Sequence, residues 1–187
     1  MRGTLAIGLG TAVFLAVILF AGVMANATEA GIAQRPQDAH AAFLAPHIEI
    51  RLPEGADGPV PAALMFHGCG GVRQVQADYA AALNEAGFAA VIVDSNGARG
   101  IGRFGAMTQV CGGFRLWGQE RAADVFAAVE LARADPRIDG GALTLVGWSH
   151  GGWSIMELMS GERSPGAMGV VDPQTADLSG IKAVWLM

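Results

Sequence analysis

Short apolar runs that alternate with helical patterns constrain the fold of this chain more than any other feature of its sequence. Runs of single-strand length with few polar residues are typical of strands buried on both faces. Between them, apolar residues recur at the i, i+3, i+4 and i+7 spacing of helices. This alternation predicts an α/β fold, in which a mostly parallel sheet has helices on both faces. The predicted strands are residues 47–52, 62–66, 89–94, 143–148 and 181–187, and the predicted helices are residues 77–87, 120–134 and 150–160.

The first 27 residues have the pattern of an export signal. Arg2 supplies a positive start, residues 5–24 form an apolar run, and Ala25-Asn26-Ala27 matches the small-x-small pattern of a cleavage site. The apolar run is also near the length of a membrane span, so an uncleaved anchor is the alternative. We favour cleavage, and we expect a periplasmic or secreted protein that contacts a membrane only if the segment is retained. Residues 28–45 are predicted to be a poorly defined N-terminal extension, and residues 46–187 the folded domain.

Charge and composition exclude several classes of function. The chain has 12 Lys and Arg residues against 17 Asp and Glu residues, a net charge of −5, which argues against a nucleic-acid partner. No Gly-x-Gly-x-x-Gly motif opens a helix after a strand, so a dinucleotide site is disfavoured. A metal site is also disfavoured, because His67, Cys69 and Cys111 lack a fourth ligand at usable spacing. We therefore expect neither a cofactor nor a metal.

A Gly-x-Ser-x-Gly motif lies where a predicted strand meets the next predicted helix. It reads Gly147-Trp148-Ser149-His150-Gly151, and its context is that of a nucleophile elbow. Such a turn leaves no room for side chains at Gly147 and Gly151, and its strain holds the Ser149 hydroxyl at the carboxyl edge of the sheet. The helix dipole there favours developing negative charge. The alternative is a serine that caps an ordinary helix.

A Gly-rich stretch after an earlier predicted strand supports this interpretation. It reads His67-Gly68-Cys69-Gly70-Gly71. In acyl-transfer enzymes of this build, one oxyanion donor is the N–H after the nucleophile, and the other lies in the loop after an earlier strand. The candidate donors are therefore the N–H groups of His150 and Cys69, with Gly70 as the second choice. Each such donor contributes about 3 kcal/mol of transition-state stabilisation. A turn without a catalytic function is the alternative.

These motifs resemble those of the α/β-hydrolase superfamily, and within it the dienelactone-hydrolase-like proteins. The resemblance covers residues 46–187. It implies a three-layer sandwich, Ser149 as the nucleophile, and hydrolysis of a small carboxylic ester or lactone through an acyl-enzyme. The stretches that carry it are residues 64–71, residues 93–100, Arg121 with Asp124, and residues 146–152.

One departure from the family pattern concerns the general base. In that family the acid and the histidine follow the nucleophile, but the only histidine after Ser149 is His150, whose side chain cannot easily reach back to the hydroxyl. Three explanations are open. The chain is the front part of a longer protein, truncated after the strand that follows the nucleophile helix, or it is a non-catalytic exported binding protein on this scaffold. In the third, an upstream histidine acts as the general base. We favour the first, because the apolar residues 184–187 would leave a sheet edge unpaired, and we expect the chain alone to be inactive. The upstream histidines are His40, His47 and His67.

The two cysteines are expected to pair, because an exported chain enters an oxidising compartment. A Cys69–Cys111 disulfide would close a loop of about 43 residues and contribute about 4 kcal/mol in the chain-entropy model. It would also pin residues 95–119 beside Ser149. That Gly-rich segment has no regular period, so a long loop is predicted there. Two free buried thiols are the alternative.

Charged and aromatic residues near the motifs have two interpretations. Arg121 and Asp124, three residues apart on a predicted helix, are most simply a surface pair. For a larger set, one hypothesis is a pocket for an anionic or aromatic substrate, and the other is solvated arginines and packed tryptophans. That set is Arg99, Arg103, Arg115, Trp117 and Trp153.

Overall fold

A computed structural model of the chain describes residues 10–21, 35–160, 170 and 177–187. The chain divides into two units, Met1–Gly31 and Ile32–Met187. In the first unit, residues 10–21 form helix α1, whose side chains are exposed. None of the helices in these ranges combines the length and the apolar character that a membrane crossing requires. The predicted cleavage site at residues 25–27 and the first part of the predicted extension lie outside the described residues.

A five-stranded sheet forms the centre of the second unit. Its order is β1-β3-β2-β4-β5, and only β1 and β3 pair in antiparallel fashion. The predicted α/β class with a mostly parallel sheet is therefore confirmed. Phe66 is in register with Val93 on one side and with Gly147 on the other, so the loops after β2, β3 and β4 meet at one edge. The strands are β1 (Ile48–Arg51), β2 (Val60–Phe66), β3 (Ala89–Val93), β4 (Ile138–Gly147) and β5 (Ile181–Leu186).

Helices cover both faces of this sheet because the side chains of its central strands alternate between two apolar clusters. Leu64 and Phe66 of β2 pack with α2, α6 and α7 on one face. Ala63 and Met65 pack with α3 on the other. The helices are α2 (Gln37–Leu44), α3 (Gln74–Glu85), α4 (Ser95–Ala98), α5 (Arg103–Gly105), α6 (Gly118–Ala134) and α7 (His150–Met159).

Two predicted boundaries are wrong by three residues or more. Helix α3 begins three residues before the predicted start, because the Arg73 N–H donates to the Gln76 side chain in a capping box. Strand β4 begins at Ile138, five residues before the predicted start at residue 143. Pairing with the start of β2 at Val60 extends β4 in this direction.

The predicted long loop at residues 95–119 is largely helical. It contains α4, α5, a π-helical turn over Ala106–Val110, and the start of α6. Part of it, hereafter the 101–116 segment, has its own small apolar cluster, against which Cys69 packs. The helices are one turn or slightly longer, so they carry too few residues to show a period in a Gly-rich sequence. The buried members of the cluster are Ile101, Ala106, Val110 and Leu116.

Helix α2 packs against α6, so the expectation of an undefined extension is wrong for residues 37–44. Leu44 joins the main apolar cluster, and the buried His40 Nε2 lies 2.7 Å from Asp124 Oδ1. Arg99 donates two further hydrogen bonds to the Asp124 carboxylate, at 2.9 and 3.0 Å. Arg121 and Asp124 are both 0% exposed. The predicted surface pair is therefore wrong, because α6 is buried on nearly all sides and its charges have internal partners.

The buried carboxylate of Asp124 is stabilised by these partners. Burial alone raises its pKa, but the charge of Arg99 and the hydrogen bonds from His40 and Arg99 outweigh burial and hold the pKa well below its ordinary range. The ionised form of Asp124 therefore stabilises the fold at neutral pH.

Replacing Asp124 should destabilise the domain strongly. Asp124→Asn removes the carboxylate that accepts two hydrogen bonds from the buried Arg99 and leaves only its longer contact with Glu120, so we expect the free energy of unfolding in urea to fall by about 3–5 kcal/mol. Glu130→Gln, on the same helix but half-exposed and paired with Arg133, should lose less than about 1 kcal/mol. Because the folded pKa of Asp124 is lowered, its contribution is complete above an unfolded pKa of about 3.9 and is lost as pH falls further. Equal losses in the two variants at pH 7 would contradict this account.

Candidate functional site

The turn between β4 and α7 has the geometry of a nucleophile elbow. Ser149 has φ 49° and ψ −110°, and it is one of two non-glycine residues with positive φ in the described ranges. A Cβ added to Gly147 would lie 2.6 Å from the backbone nitrogen of Gly152, and one added to Gly151 would overlap the Phe66 carbonyl. Only glycine fits at these two positions. Ser149 is exposed, so the strained backbone presents its side chain to solvent at the carboxyl edge of the sheet.

The Gly-rich loop after β2 lies directly against this elbow. A Cβ built on Gly68 would be 3.7 Å from Ser149 Cβ. Three successive carbonyls of the loop accept hydrogen bonds within the protein. The His67 carbonyl accepts from Arg121 Nη1 at 2.7 Å, that of Gly68 from His67 Nδ1 at 2.6 Å, and that of Cys69 from Asn96 Nδ2 at 3.0 Å.

The N–H groups predicted as oxyanion donors have no protein acceptor. In the described part of the chain, no hydrogen bond is donated by the N–H of His150, Cys69 or Gly70. His150 is the first residue of α7, where helical N–H groups lack an intrahelical partner. These amides therefore have no hydrogen-bond acceptor among the described residues.

A pocket of about 310 Å³ opens beside Ser149 and His150. The predicted Cys69–Cys111 disulfide is present, with a Cα–Cα distance of 5.1 Å, and both of its cysteines line the pocket. The bond therefore joins the loop after β2 to the 101–116 segment at the pocket wall. No lining residue carries a charged side chain. The remaining lining residues are Val110, Gly113 and Trp153.

Of the residues predicted for an anionic or aromatic pocket, only Trp153 lines this one. Arg99 instead pairs with Asp124 and Glu120 in the interior. Trp117 is buried and donates to the Gly113 carbonyl. Arg103 and Arg115 are exposed and do not line the pocket. The hypothesis of an arginine-lined pocket is therefore wrong, because one arginine has carboxylate partners inside the fold and the other two face solvent.

The histidine rings near the elbow are engaged away from the Ser149 hydroxyl. The His150 ring lies between Arg121 Nη1, at 3.2 Å from its Nδ1, and the backbone of Leu116. Burial, and then the charge of Arg121, lower the pKa of His150 to about 4. The buried His67 bonds to the Gly68 carbonyl, and burial lowers its pKa well below the ordinary value. No histidine of the described ranges hydrogen-bonds to the Ser149 hydroxyl.

Sequence reasoning missed the side chains that hold this site together. Arg121, Ser95 and Asn96 are buried under the loops and contact them through hydrogen bonds. The positions of Ser95 and Asn96 directly after a buried strand were the available signal. Nothing in the local pattern distinguished Arg121 from a solvated helix residue.

The sheet, the elbow and the Gly-rich loop together define an α/β-hydrolase. Residues 74–171, over half of the chain, match the prolyl oligopeptidase family. The chain belongs to this family. No curated protein matches it in sequence.

Solved structures confirm the predicted resemblance to dienelactone-hydrolase-like proteins at the level of the fold. A candidate dienelactone hydrolase from Klebsiella pneumoniae is 16% identical with a TM-score of 0.51, over 73% of this chain and 51% of that one. A dienelactone hydrolase-like promiscuous phosphotriesterase from metagenomic libraries is 20% identical with a TM-score of 0.54, over 75% of this chain and 52% of that one. The chain spans about half the length of these structures.

The elbow glycines provide a test of the steric constraint. Gly151→Ala would place a methyl group into the backbone of β2, which cannot move away, so we expect a loss of about 3 kcal/mol in unfolding free energy. Gly152→Ala is the matched control, because its Cβ would lie at ordinary contact distances, 3.5 Å from the Gly147 carbonyl oxygen and 3.6 Å from Leu186. We expect it to change stability by about 1 kcal/mol or less. Similar urea midpoints for the two variants would count against the elbow geometry.

The disulfide provides a second test. Its cysteines are 42 residues apart, and reduction should lower the unfolding free energy by about 4 kcal/mol. The double variant Cys69→Ser/Cys111→Ser should have the stability of the reduced protein and should not respond to dithiothreitol. If dithiothreitol leaves the urea midpoint of the wild-type protein unchanged although mass spectrometry shows reduced thiols, the bond does not stabilise the fold.

Proposed function

We propose that this chain carries the nucleophile and the oxyanion hole of an exported serine hydrolase, which cleaves a small carboxylic ester or lactone through an acyl-enzyme. The observation that carries the proposal is the strained, exposed Ser149 beside backbone amides that have no protein acceptor. Membership of a family of hydrolases supports the reaction class. The dienelactone hydrolases among the similar folds support an ester or lactone as the substrate.

In the proposed reaction, Ser149 Oγ attacks the carbonyl carbon of the substrate. The N–H groups of His150 and Cys69, with Gly70 as the second choice in the loop, donate hydrogen bonds to the developing oxyanion. Collapse of the tetrahedral intermediate expels the alcohol and leaves an acyl group on Ser149, which water then removes. Each amide donor contributes about 3 kcal/mol to this step.

The proposal includes a general base and an orienting acid that are not identified among the described residues. His150 is not proposed as the base, because its Nδ1 lies 3.2 Å from Arg121 Nη1 and its ring packs against Trp153. His40 and His67 are buried and bonded to other groups. We propose that the proton of the Ser149 hydroxyl passes to a base other than these three histidines.

Export is proposed from two independent features. The first 27 residues have the pattern of a signal, and the only two cysteines of the chain are joined in a disulfide, which persists in oxidising compartments. We propose a periplasmic or secreted location for the domain.

A non-catalytic binding protein on the same scaffold is the second candidate. It is favoured by the lack of any hydrogen bond between a histidine and the Ser149 hydroxyl in the described ranges. In this case the pocket and the free amides would bind an anionic or carbonyl-containing molecule without cleaving it.

A fluorophosphonate probe separates the two candidates. Its reaction forms a bond between Ser149 Oγ and phosphorus, breaks the P–F bond and releases fluoride, while the hydroxyl proton goes to solvent. An oxyanion hole without its base retains about 10³–10⁴-fold catalysis over water, so we expect labelling of Ser149 well above that of the exposed Ser160 on the same chain. Peptide mass spectrometry would locate the label. Labelling that is equal at both serines, or unchanged overall in Ser149→Ala, favours the binding protein.

Ester hydrolysis by the chain alone should not depend on Ser149 in the same preparation. Because no histidine of the described ranges hydrogen-bonds to the Ser149 hydroxyl, we expect nitrophenyl acetate turnover no faster than that of Ser149→Ala. Turnover that depends on Ser149 would show that the base lies within this chain and would contradict the proposed need for further residues.

A further inference from the structure

Arg121 is an uncommon residue to find at the centre of this fold. It is among the largest fully buried side chains of the described ranges, with 0% exposure. Burial lowers its pKa to about 10, partly offset by the charge of Asp124, so the guanidinium remains charged at neutral pH. An apolar side chain of similar volume would satisfy packing without the desolvation that a buried charge requires.

The hydrogen bonds of Arg121 join three loops at the site edge of the sheet. Nε donates to Ser95 Oγ at 2.9 Å, directly after β3. Nη1 donates to the His67 carbonyl at 2.7 Å, in the loop after β2. Nη1 also lies 3.2 Å from Nδ1 of His150, which follows the nucleophile after β4.

The contact with His150 fixes the state of that ring. A guanidinium is only a donor, so Nδ1 of His150 accepts and the ring proton lies on Nε2. The ring also stacks edge-on against Trp153, with ring centroids 5.2 Å apart. The contacts with Arg121 and Trp153 therefore hold the His150 ring in place. They also restrain the residue whose backbone N–H is a proposed oxyanion donor.

The two backbone donors proposed for the oxyanion lie next to the two groups that Arg121 contacts. One is the N–H of His150 itself. The other is the N–H of Cys69, two residues after the His67 carbonyl. Because a guanidinium is planar and rigid, bonds from one Nη1 atom to both loops limit how far the loops can separate.

We propose that Arg121 is a positioning residue that sets the spacing of the two oxyanion donors by holding the His67 carbonyl and the His150 ring on one buried guanidinium. This inference rests on the proposed function for its effect on chemistry. The structural part of the inference is that Arg121 couples the loop after β2 to the turn after β4, and this coupling can be measured without any reaction.

The first experiment measures fluorophosphonate labelling of Ser149 in Arg121→Lys, which keeps the charge but cannot form the same fork of hydrogen bonds. We expect the bond-forming rate constant to fall by about 10–100-fold, with the probe's half-saturating concentration unchanged, because a misplaced donor weakens the stabilisation of the transition state and not the binding of the probe. Arg133→Lys, on the same helix but paired with Glu130, should label at the wild-type rate. Wild-type labelling of Arg121→Lys would overturn the inference.

The second experiment uses ¹⁵N NMR of the folded protein and does not depend on reactivity. In the wild-type protein, the His150 ring should be a single Nε2–H tautomer, and in Arg121→Lys it should populate both tautomers while the amide signals of His150 and Cys69 shift together. If wild-type Ser149 is not labelled, the proposed function fails and these signals alone decide the inference. An unchanged tautomer with unchanged amide signals would refute it.

A milder variant covers the case in which Arg121→Lys does not fold. Ser95→Ala removes one acceptor of Arg121 and leaves the guanidinium in place. We expect the same direction of change in labelling and in the two amide signals, at a smaller size. Identity with the wild type in both measurements would overturn the inference.

Discussion

The close approach of β2 to the start of α7 is the constraint on which the site depends. At Gly151 the helix backbone lies so near the Phe66 carbonyl that no Cβ fits, and Gly147 meets the backbone of Gly152 in the same way. The chain can pass between these contacts only with a positive φ at Ser149. One steric condition therefore places the serine outside the turn and the following N–H at the helix start.

Buried polar side chains beneath the loops hold this arrangement through hydrogen bonds. Asn96 and Arg121 occupy the carbonyls of Cys69 and His67, so the loop after β2 turns its acceptors inward. Arg99 and His40 satisfy Asp124 on the same helix as Arg121. Removal of one partner of a buried charge pair is strongly destabilising, which ties the integrity of the site edge to α2 and α6.

Local sequence patterns predicted the strands, the elbow and the Gly-rich loop because these features depend on neighbouring residues. Residues 37–44 lack such a pattern, and their helix is stabilised by contacts such as that of His40 with Asp124, 84 residues away. Arg121 reaches His67 across 54 residues. Charges spaced three apart on a helix look the same in sequence whether water or protein surrounds them, so the internal role of Arg121 and Asp124 was not accessible from the pattern.

The disulfide closes a covalent ring that starts and finishes at the pocket. Cys69 and Cys111 are its two ends, and α3, β3 and α4 lie between them along the chain. Strand β3 is hydrogen-bonded on both sides, to β1 and to β2. Because the disulfide joins Cys111 to Cys69, the distance that the 101–116 segment can move from the loop after β2 is limited. The bond therefore restrains the pocket wall and that loop relative to each other, and its reduction removes this covalent restraint.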